Sequence, residues 1–213
     1  MEFSFDTIND FDAHIERSIP DYALLRNSVL HLSDYFILPN HSVYDVGCST
    51  GKLLMSLHKK HPNIKMIGID NSDNLLPAHD EIIFQCHDLN TDYSFGDASL
   101  IISLFTLQFL NKKARLPLLR NMRGGLCTGG ALIIAEKVYC DDGITQDMFT
   151  SAYYQYKEKS FTPKEILDKE KSLRGLLHPL TTEDNHELLH LAGFHKIITF
   201  YKYFNFEAYL CIV

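Results

Sequence analysis

The 213-residue sequence lacks the features that mark several large classes of protein. It has no apolar run long enough to span a membrane, and residues 1–6 place no basic segment ahead of an apolar core, so we expect neither a membrane span nor a signal peptide. The five cysteines form no Cys-x-x-Cys pair and the eleven histidines show no metal-binding spacing. This pattern argues against a disulfide scaffold or a metal site, and it favours reduced thiols in the cytoplasm. The net charge of −7 indicates no general nucleic-acid-binding surface.

The overall composition, with 46% hydrophobic and 22% charged residues, is typical of a globular enzyme. The length predicts one domain over 1–213. Helical spacing over 6–38 predicts a helical cap within 1–40. Beyond it, strand-like and helical segments alternate, which predicts an α/β fold with a Rossmann-like, doubly wound and mostly parallel sheet. A charged helical stretch predicts an insert or lid at 146–178, and the last segments predict a closing antiparallel hairpin.

The stretch Val43–Lys52 predicts a strand that breaks into a glycine-bounded turn and continues as a helix. Gly47 and Gly51 have no Cβ, so the backbone can turn sharply and a ligand can lie against it. The turn also points the free N–H groups of the new helix at that ligand. In a βα unit, such a turn binds a nucleotide-like cofactor beyond the carboxyl end of the first strand.

Spacing separates the cofactors that could use this turn. A phosphate-binding P-loop needs four residues between its first glycine and the Gly-Lys pair, followed by Ser or Thr; here three intervene and Leu53 follows. A dinucleotide-binding fingerprint that begins at Gly47 needs glycines where Ser49 and Lys52 stand. The series Asp-x-Gly-x-Ser-x-Gly at 45–51 instead resembles motif I of class I S-adenosylmethionine (SAM) methyltransferases, whose cofactor has no phosphate. A tight turn that binds nothing stays an alternative.

Two acidic residues follow the next predicted strands. Asp70 ends the second strand a little over twenty positions beyond Gly47, where a carboxylate can accept hydrogen bonds from both ribose hydroxyls of an adenosine. Asp88 ends the third strand, where it can reach the exocyclic amine of an adenine, and Leu89 offers a backbone N–H and a flat apolar side. A solvated loop aspartate is the alternative for Asp88.

Six stretches, spread over nearly the whole chain, resemble the carboxy-SAM synthase family, which has the class I methyltransferase fold. That family makes carboxy-SAM from SAM and prephenate for the modification of wobble uridine in tRNA. The matching stretches are Phe11–Tyr22, Tyr44–Ser49, Ile69–Ser72, Phe105–Leu110, Gly129–Leu132 with Glu136–Lys137, and Phe204–Phe206.

The resemblance implies which residues hold each part of SAM. The motif begins at Asp45 and ends at Gly51, and within it the residues for the methionyl part are Gly47, Cys48 and Ser49. Asp70 and Asn71 would bind the ribose, and Asp88 and Leu89 would bind the adenine. Tyr22 would close over the cofactor from the cap. The alternative for Tyr22 is an ordinary half-buried helix aromatic.

The chain departs from the family pattern at two places. The family has an asparagine where Leu104 stands, and Leu104 cannot hydrogen-bond. The family also has an arginine in the helical insert that binds the added carboxylate; the aligned residue is Lys171, and Arg174 lies three residues further on. Lys is a point charge, whereas the planar guanidinium of Arg matches a carboxylate at two points. We therefore treat Lys171 and Arg174 as the two candidates for the substrate carboxylate.

Three functions are compatible with these patterns. The first is methyl transfer from SAM to an unidentified acceptor, which needs positioning but no obligatory base. The second is carboxy-SAM synthesis, and the third is a SAM-binding module without turnover. The acidic balance favours a small-molecule substrate, nucleic acid stays open as an acceptor, and the family resemblance implies a homodimer. No catalytic residue is assigned; the polar residues near the predicted catalytic face are Gln108, Glu136, Tyr153 and Tyr201.

Overall fold

The structure, a computed structural model, describes residues 10–213. Seven α-helices and eight strands make up this part of the chain. The helices are α1 (Phe11–Ser18), α2 (Tyr22–Ser33), α3 (Lys52–Lys60), α4 (Lys112–Gly125), α5 (Gly143–Lys157), α6 (Pro163–Leu173) and α7 (Thr182–Leu191). The strands are β1 (Ser42–Val46), β2 (Lys65–Asp70), β3 (Ile82–Cys86), β4 (Ala98–Leu104), β5 (Leu126–Tyr139), β6 (Leu180–Thr181), β7 (Lys196–Tyr203) and β8 (Phe206–Ile212). A single 3-10 turn at Leu107–Phe109 follows β4.

The strands form one twisted sheet in the order β3-β2-β1-β4-β5-β8-β7, and the short β6 pairs with β5. The first five strands run parallel to one another. Strand β8 lies antiparallel between β5 and β7, so the last two strands close the sheet as a hairpin. The predicted fold class, a doubly wound and mostly parallel sheet with a closing antiparallel hairpin, is confirmed.

The sheet is buried on both faces because helices cover both sides of it. Alternate residues of one strand point to opposite faces. In β4, Ile101 joins one apolar cluster, while Leu100 and Ile102 join the other. This two-sided burial explains why the strands have continuous apolar runs rather than alternating ones.

The predicted helical cap and helical insert meet above the carboxyl ends of the strands. The hydroxyl of Tyr153, in α5 of the insert, donates to the carbonyl of Ser18 in the cap at 2.8 Å. The cap also contacts the sheet, since the hydroxyl of Tyr201 in β7 donates to the carbonyl of Pro20 at 2.6 Å. Helix α6 begins with a capping box in which Thr162 and Glu165 satisfy each other's backbone N–H groups. None of the described helices is both long and apolar enough to cross a membrane.

Candidate functional site

A cavity of about 410 Å³ opens where the parallel strands β1, β2 and β4 end, between the sheet, the cap and the insert. Nine of the ten residues that the sequence assigns to SAM line it: Tyr22, Asp45, Gly47, Cys48, Ser49, Asp70, Asn71, Asp88 and Leu89. Ligands of doubly wound sheets bind at this edge, beyond the carboxyl ends of the strands. The structure therefore brings together most of the residues that the motif and the acidic positions pointed to.

Both glycines of the turn have a left-handed backbone. Gly47 has φ of +79° and Gly51 has φ of +69°, a region that residues with a Cβ avoid. A Cβ on Gly47 would lie 2.0 Å from Oγ1 of Thr106. Gly51 does not line the cavity; it precedes α3, and a Cβ there would meet the ring of Phe84 at 2.6 Å. Gly51 thus shapes the turn from behind, and its contact with the ligand stays a prediction.

Asp70 lies at the end of β2 and joins the glycine turn to the loop after β2. Its Oδ2 accepts the backbone N–H of Ser49 at 2.9 Å, and its Oδ1 accepts the backbone N–H of Ser72 at 3.0 Å. A carboxylate oxygen has two lone pairs, so an oxygen that accepts one N–H can accept a second donor. The two backbone bonds fix the orientation of the carboxylate at the cavity wall.

Asp45 is 4% exposed and lies in the middle of the site, near the end of β1. Burial and, to a smaller extent, the neighbouring charge of Asp70 raise the pKa of its carboxyl to about 7. Two adjacent carboxylates in a buried wall disfavour each other's ionisation. A bound cation would favour the ionised form of both, and the sulfonium and the ammonium of SAM are such cations.

Asp88 and Leu89 lie at the far end of the cavity, after β3. Oδ1 of Asp88 accepts the backbone and side-chain N–H groups of Asn90, both at 2.9 Å, and the buried side chain of Leu89 faces the cavity. At the near end, Tyr22 of α2 packs on Phe105 with ring centroids 6.5 Å apart. The far end of the cavity, with Leu89 and Asp88, offers an apolar wall and a carboxylate, which suit an adenine and its amine.

The two residues predicted to bind the substrate carboxylate lie outside the cavity. Lys171 and Arg174 are both exposed, and neither belongs to the lining. Residues three or four apart share a face of a helix, and in α6 that inner face carries Lys169 and Leu173. Lys171 is two positions from Lys169 and therefore points to the opposite side. Neither residue reaches the cavity in this structure, and their role at the substrate carboxylate stays a prediction.

The sequence reasoning missed a group of basic side chains on the insert side of the cavity, which we call the lysine cluster: Lys137 of β5, Lys157 of α5 and Lys169 of α6. Lys157 is 7% exposed. Its ammonium and that of Lys137 lie over the ring of Tyr153, at 5.5 and 5.2 Å from the centroid. Tyr153 and Lys157 are four residues apart, a spacing that places both on the same face of a helix. This spacing is the signal in the sequence that could have predicted their shared orientation.

The members of the lysine cluster are close enough to disfavour one another's charge. Burial and the charge of Lys137 lower the pKa of Lys157 to about 8, against a smaller opposing effect of Glu170. Burial and the charge of Lys157 lower the pKa of Lys169 to about 8. Burial, Lys169, Lys157 and Arg17 lower the pKa of His14, which also lines the cavity, to about 4. The cluster is a positive region that an anion would stabilise.

The other polar residues near the catalytic face support the loop after β4. Glu136 is buried and accepts the backbone N–H groups of Leu107 and Gln108 at 3.0 and 2.8 Å. Burial raises the pKa of Glu136 to about 8, against the opposing effect of Arg115. The side chain of Gln108 accepts the backbone N–H of Lys137 at 2.8 Å. These contacts hold the loop that carries Phe105 and Thr106 against the glycine turn.

The comparisons with known proteins agree with this geometry. Residues 43–130 match the family model described as "Methyltransferase domain". The carboxy-S-adenosyl-L-methionine synthase of Staphylococcus epidermidis is 35% identical over 217 residues, covering 98% of this chain and 95% of that protein. The enzyme of the same name from Methylococcus capsulatus is 32% identical, covering 95% and 89%.

Among solved structures, human N-acetylserotonin methyltransferase in complex with SAM superposes with a TM-score of 0.58 at 20% identity. The match covers 90% of this chain and 52% of that one, so this chain spans about half the length of that methyltransferase. The S-adenosylmethionine-dependent methyltransferase SibL gives the same TM-score of 0.58 at 14% identity. These likenesses show the fold.

The chain is a SAM-dependent transferase, and SAM is its cofactor. The long matches to the bacterial enzymes identify its group more narrowly, because they extend through the cap and the insert as well as the glycine turn. The chain belongs to the carboxy-SAM synthase family.

Proposed function

We propose that this enzyme makes carboxy-SAM from SAM and an anionic carboxyl donor, prephenate, and that the residues named above hold SAM. The lysine cluster is the observation that carries the proposal. SAM brings a positive sulfonium into a cavity whose insert side already holds three lysines. Charges in a partly buried site interact more strongly than charges in water. A donor with two carboxylates offsets the positive charge on that side of the cavity, whereas a neutral methyl acceptor leaves the lysines there without an anionic partner.

The chemistry of the product fits this charge distribution. Conversion of the S–CH3 group to S–CH2–COO− adds carbon dioxide and releases the methyl proton. When prephenate is the donor, it loses carbon dioxide and hydroxide and becomes phenylpyruvate, and the hydroxide takes up the methyl proton as water. Atoms and charge then balance without an external oxidant or reductant. In this scheme the lysines bind the carboxylates of the donor and stabilise the carboxylate that forms on the product.

Methyl transfer to an acceptor is the second candidate. Leu104 favours it, because Leu104 lines the cavity where the family has an asparagine. The two functions differ in what happens to SAM: methyl transfer leaves S-adenosylhomocysteine, and carboxylation leaves a heavier sulfonium. Incubation of the purified enzyme with SAM, with and without prephenate, followed by mass spectrometry, tests the proposal. We expect a product heavier than SAM by one carbon dioxide only when prephenate is present. S-adenosylhomocysteine as the product would overturn it.

The lysine cluster predicts a pH dependence. Because the pKa values of Lys157 and Lys169 are each about 8, the cluster loses positive charge as the pH rises above that value. We expect kcat/KM for the donor, which reports the free enzyme, to fall by roughly tenfold for each pH unit once a lysine titrates. Lys157→Arg keeps its charge and should move the decline to higher pH. A profile that stays level well above pH 8, or one that Lys157→Arg does not shift, would contradict this role.

The same proposal extends to the use of the product, the location of the enzyme and its oligomeric state. The enzyme would release carboxy-SAM to a second enzyme that modifies tRNA, because the net charge of −7 is unfavourable for direct binding of RNA. The five cysteines are free thiols, which supports a cytoplasmic location. We further propose that the chain forms a single domain with a cap and a lid. The family resemblance supports a homodimer.

A further inference from the structure

Arg26 contributes a guanidinium to the cavity at the end nearest the glycine turn. It lies in α2, one helical turn after Tyr22, and both residues belong to the lining. The Arg26 side chain is 22% exposed, and its Nη1 lies 3.6 Å from Oε1 of Glu16. Its Nε is buried and has no hydrogen-bond partner among the described residues. A buried donor of a charged group without a partner is costly, so this nitrogen is a candidate for a ligand.

A second unsatisfied polar atom lies at the same end of the cavity. The hydroxyl of Ser49 is buried and also has no hydrogen-bond partner among residues 10–213. Ser49 has φ of +49°, a conformation unusual for a residue with a side chain. Its backbone N–H is held by Asp70 at 2.9 Å. The turn thus fixes this hydroxyl at the cavity wall.

A chain of polar contacts connects Arg26 to the glycine turn. Glu16 contacts both Arg26 and Lys52, at 3.6 and 3.8 Å. Asp12 contacts Lys52 at 3.8 Å and accepts a hydrogen bond from the hydroxyl of Thr50 at 3.0 Å. These contacts place α1, α2 and the turn around one end of the cavity.

Charges of both signs meet at this end. The acids there are Asp12, Glu16 and Asp45, and the bases are Arg26 and Lys52. Burial raises the pKa of Tyr22, Asp45 raises it further, and Arg26 lowers it, so Arg26 and Asp45 both act on the same phenol. An α-amino acid group carries a carboxylate and an ammonium side by side. The mixed charges are complementary to such a group, and the methionyl part of SAM is one.

We propose that the guanidinium of Arg26, together with the hydroxyl of Ser49, binds the α-carboxylate of SAM. One planar edge of a guanidinium matches a carboxylate at two points, and charge-assisted bonds of this kind are the stronger class of hydrogen bond. This carboxylate belongs to the methionyl part of SAM, and it differs from the substrate carboxylate for which Lys171 and Arg174 are the candidates. The inference rests on the binding of SAM, and it is independent of whether the enzyme carboxylates or transfers a methyl group.

Two ligands that differ only in the carboxylate test this inference. Calorimetry with SAM and with decarboxylated SAM would compare the wild type with Arg26→Met. We expect Arg26→Met to weaken SAM binding by roughly 10- to 100-fold, and to leave the affinity for decarboxylated SAM within about twofold. Arg26→Lys should be intermediate for SAM, since it keeps the charge but loses the planar fork. Arg120→Met, which removes an exposed arginine of α4, serves as the matched control and should change neither affinity.

The outcomes separate the alternatives. Equal losses for both ligands would mean that Arg26 only positions α2, and no loss would mean that it does not contact SAM; either result overturns the inference. Intact SAM binding with weakened binding of carboxy-SAM would assign Arg26 to the added carboxylate and would also overturn it. If the wild type makes no carboxy-SAM but the ligand comparison holds, the proposed function fails and this inference stands.

Discussion

Lys157→Met is expected to lower the rate of carboxy-SAM formation by about 100-fold or more while SAM affinity changes little. Removal of one partner of a buried charge pair costs about 2–5 kcal/mol, which corresponds to a loss of this size. Lys157 lies with Lys137 and Lys169 on the insert side of the cavity. The variant should therefore affect the step that uses the donor. The measurement is the initial rate of product formation at saturating SAM, combined with calorimetry for SAM.

The fold should tolerate Lys157→Met. Burial and the repulsion of Lys137 already disfavour the charge of Lys157 in the free enzyme, so an apolar side chain should keep or raise the melting temperature. The matched controls are Lys171→Met and Arg174→Met, which remove exposed positive charges from the same insert. Both should retain nearly the full rate. If the controls lose as much activity as Lys157→Met, or if Lys157→Met stays active, the lysine cluster is not the donor site.

Asp70→Ala is expected to weaken SAM binding by about 100-fold or more. The variant removes the proposed acceptor for the ribose hydroxyls, and bonds to a charged group contribute about 1.5–3 kcal/mol each. It also leaves the N–H groups of Ser49 and Ser72 without their carboxylate partner, so the glycine turn loses a contact that orients it. Calorimetry with SAM measures the effect directly.

A nearby acid provides the control for Asp70. Asp73 is exposed, lies three residues further on, and does not line the cavity, so Asp73→Ala should bind SAM as the wild type does. Comparison of methylthioadenosine with its dideoxyribose analogue separates the contact to the sugar from the effect on the turn. In the wild type the hydroxyls should strengthen binding, and in Asp70→Ala the difference should largely vanish. An unchanged difference would remove Asp70 from the ribose site.

The SAM half of the site could be predicted from sequence because its geometry is local. The turn at Gly47 needs a left-handed backbone, a requirement that a single glycine reveals. The position of Asp70 beside the glycine turn could be predicted in the same way, because the end of a second parallel strand lies beside the end of the first. Gly51 shows the limit of such reasoning. The motif includes it, yet its place behind the turn depends on Phe84 of β3.

The lysine cluster, which is the proposed donor site, could not be predicted because it depends on how α5 and α6 pack. Lys157 and Lys169 are twelve positions apart in different helices, and only the docking of both helices over the strand ends brings them together. Alignment with the family pointed to Lys171, but a shift of two positions in a helix moves a side chain to the opposite face. Arg26 was missed for the same reason, because the residue that it contacts, Glu16, belongs to a different helix, α1.

The most direct test of the account follows the methyl carbon of SAM. The enzyme is supplied with SAM that carries carbon-13 in its methyl group, together with unlabelled prephenate, and the products are read by mass spectrometry and NMR. The account predicts that the label stays on the sulfonium, as a methylene group bonded to an unlabelled carboxylate. Transfer of the label to another molecule, with S-adenosylhomocysteine left behind, would contradict it.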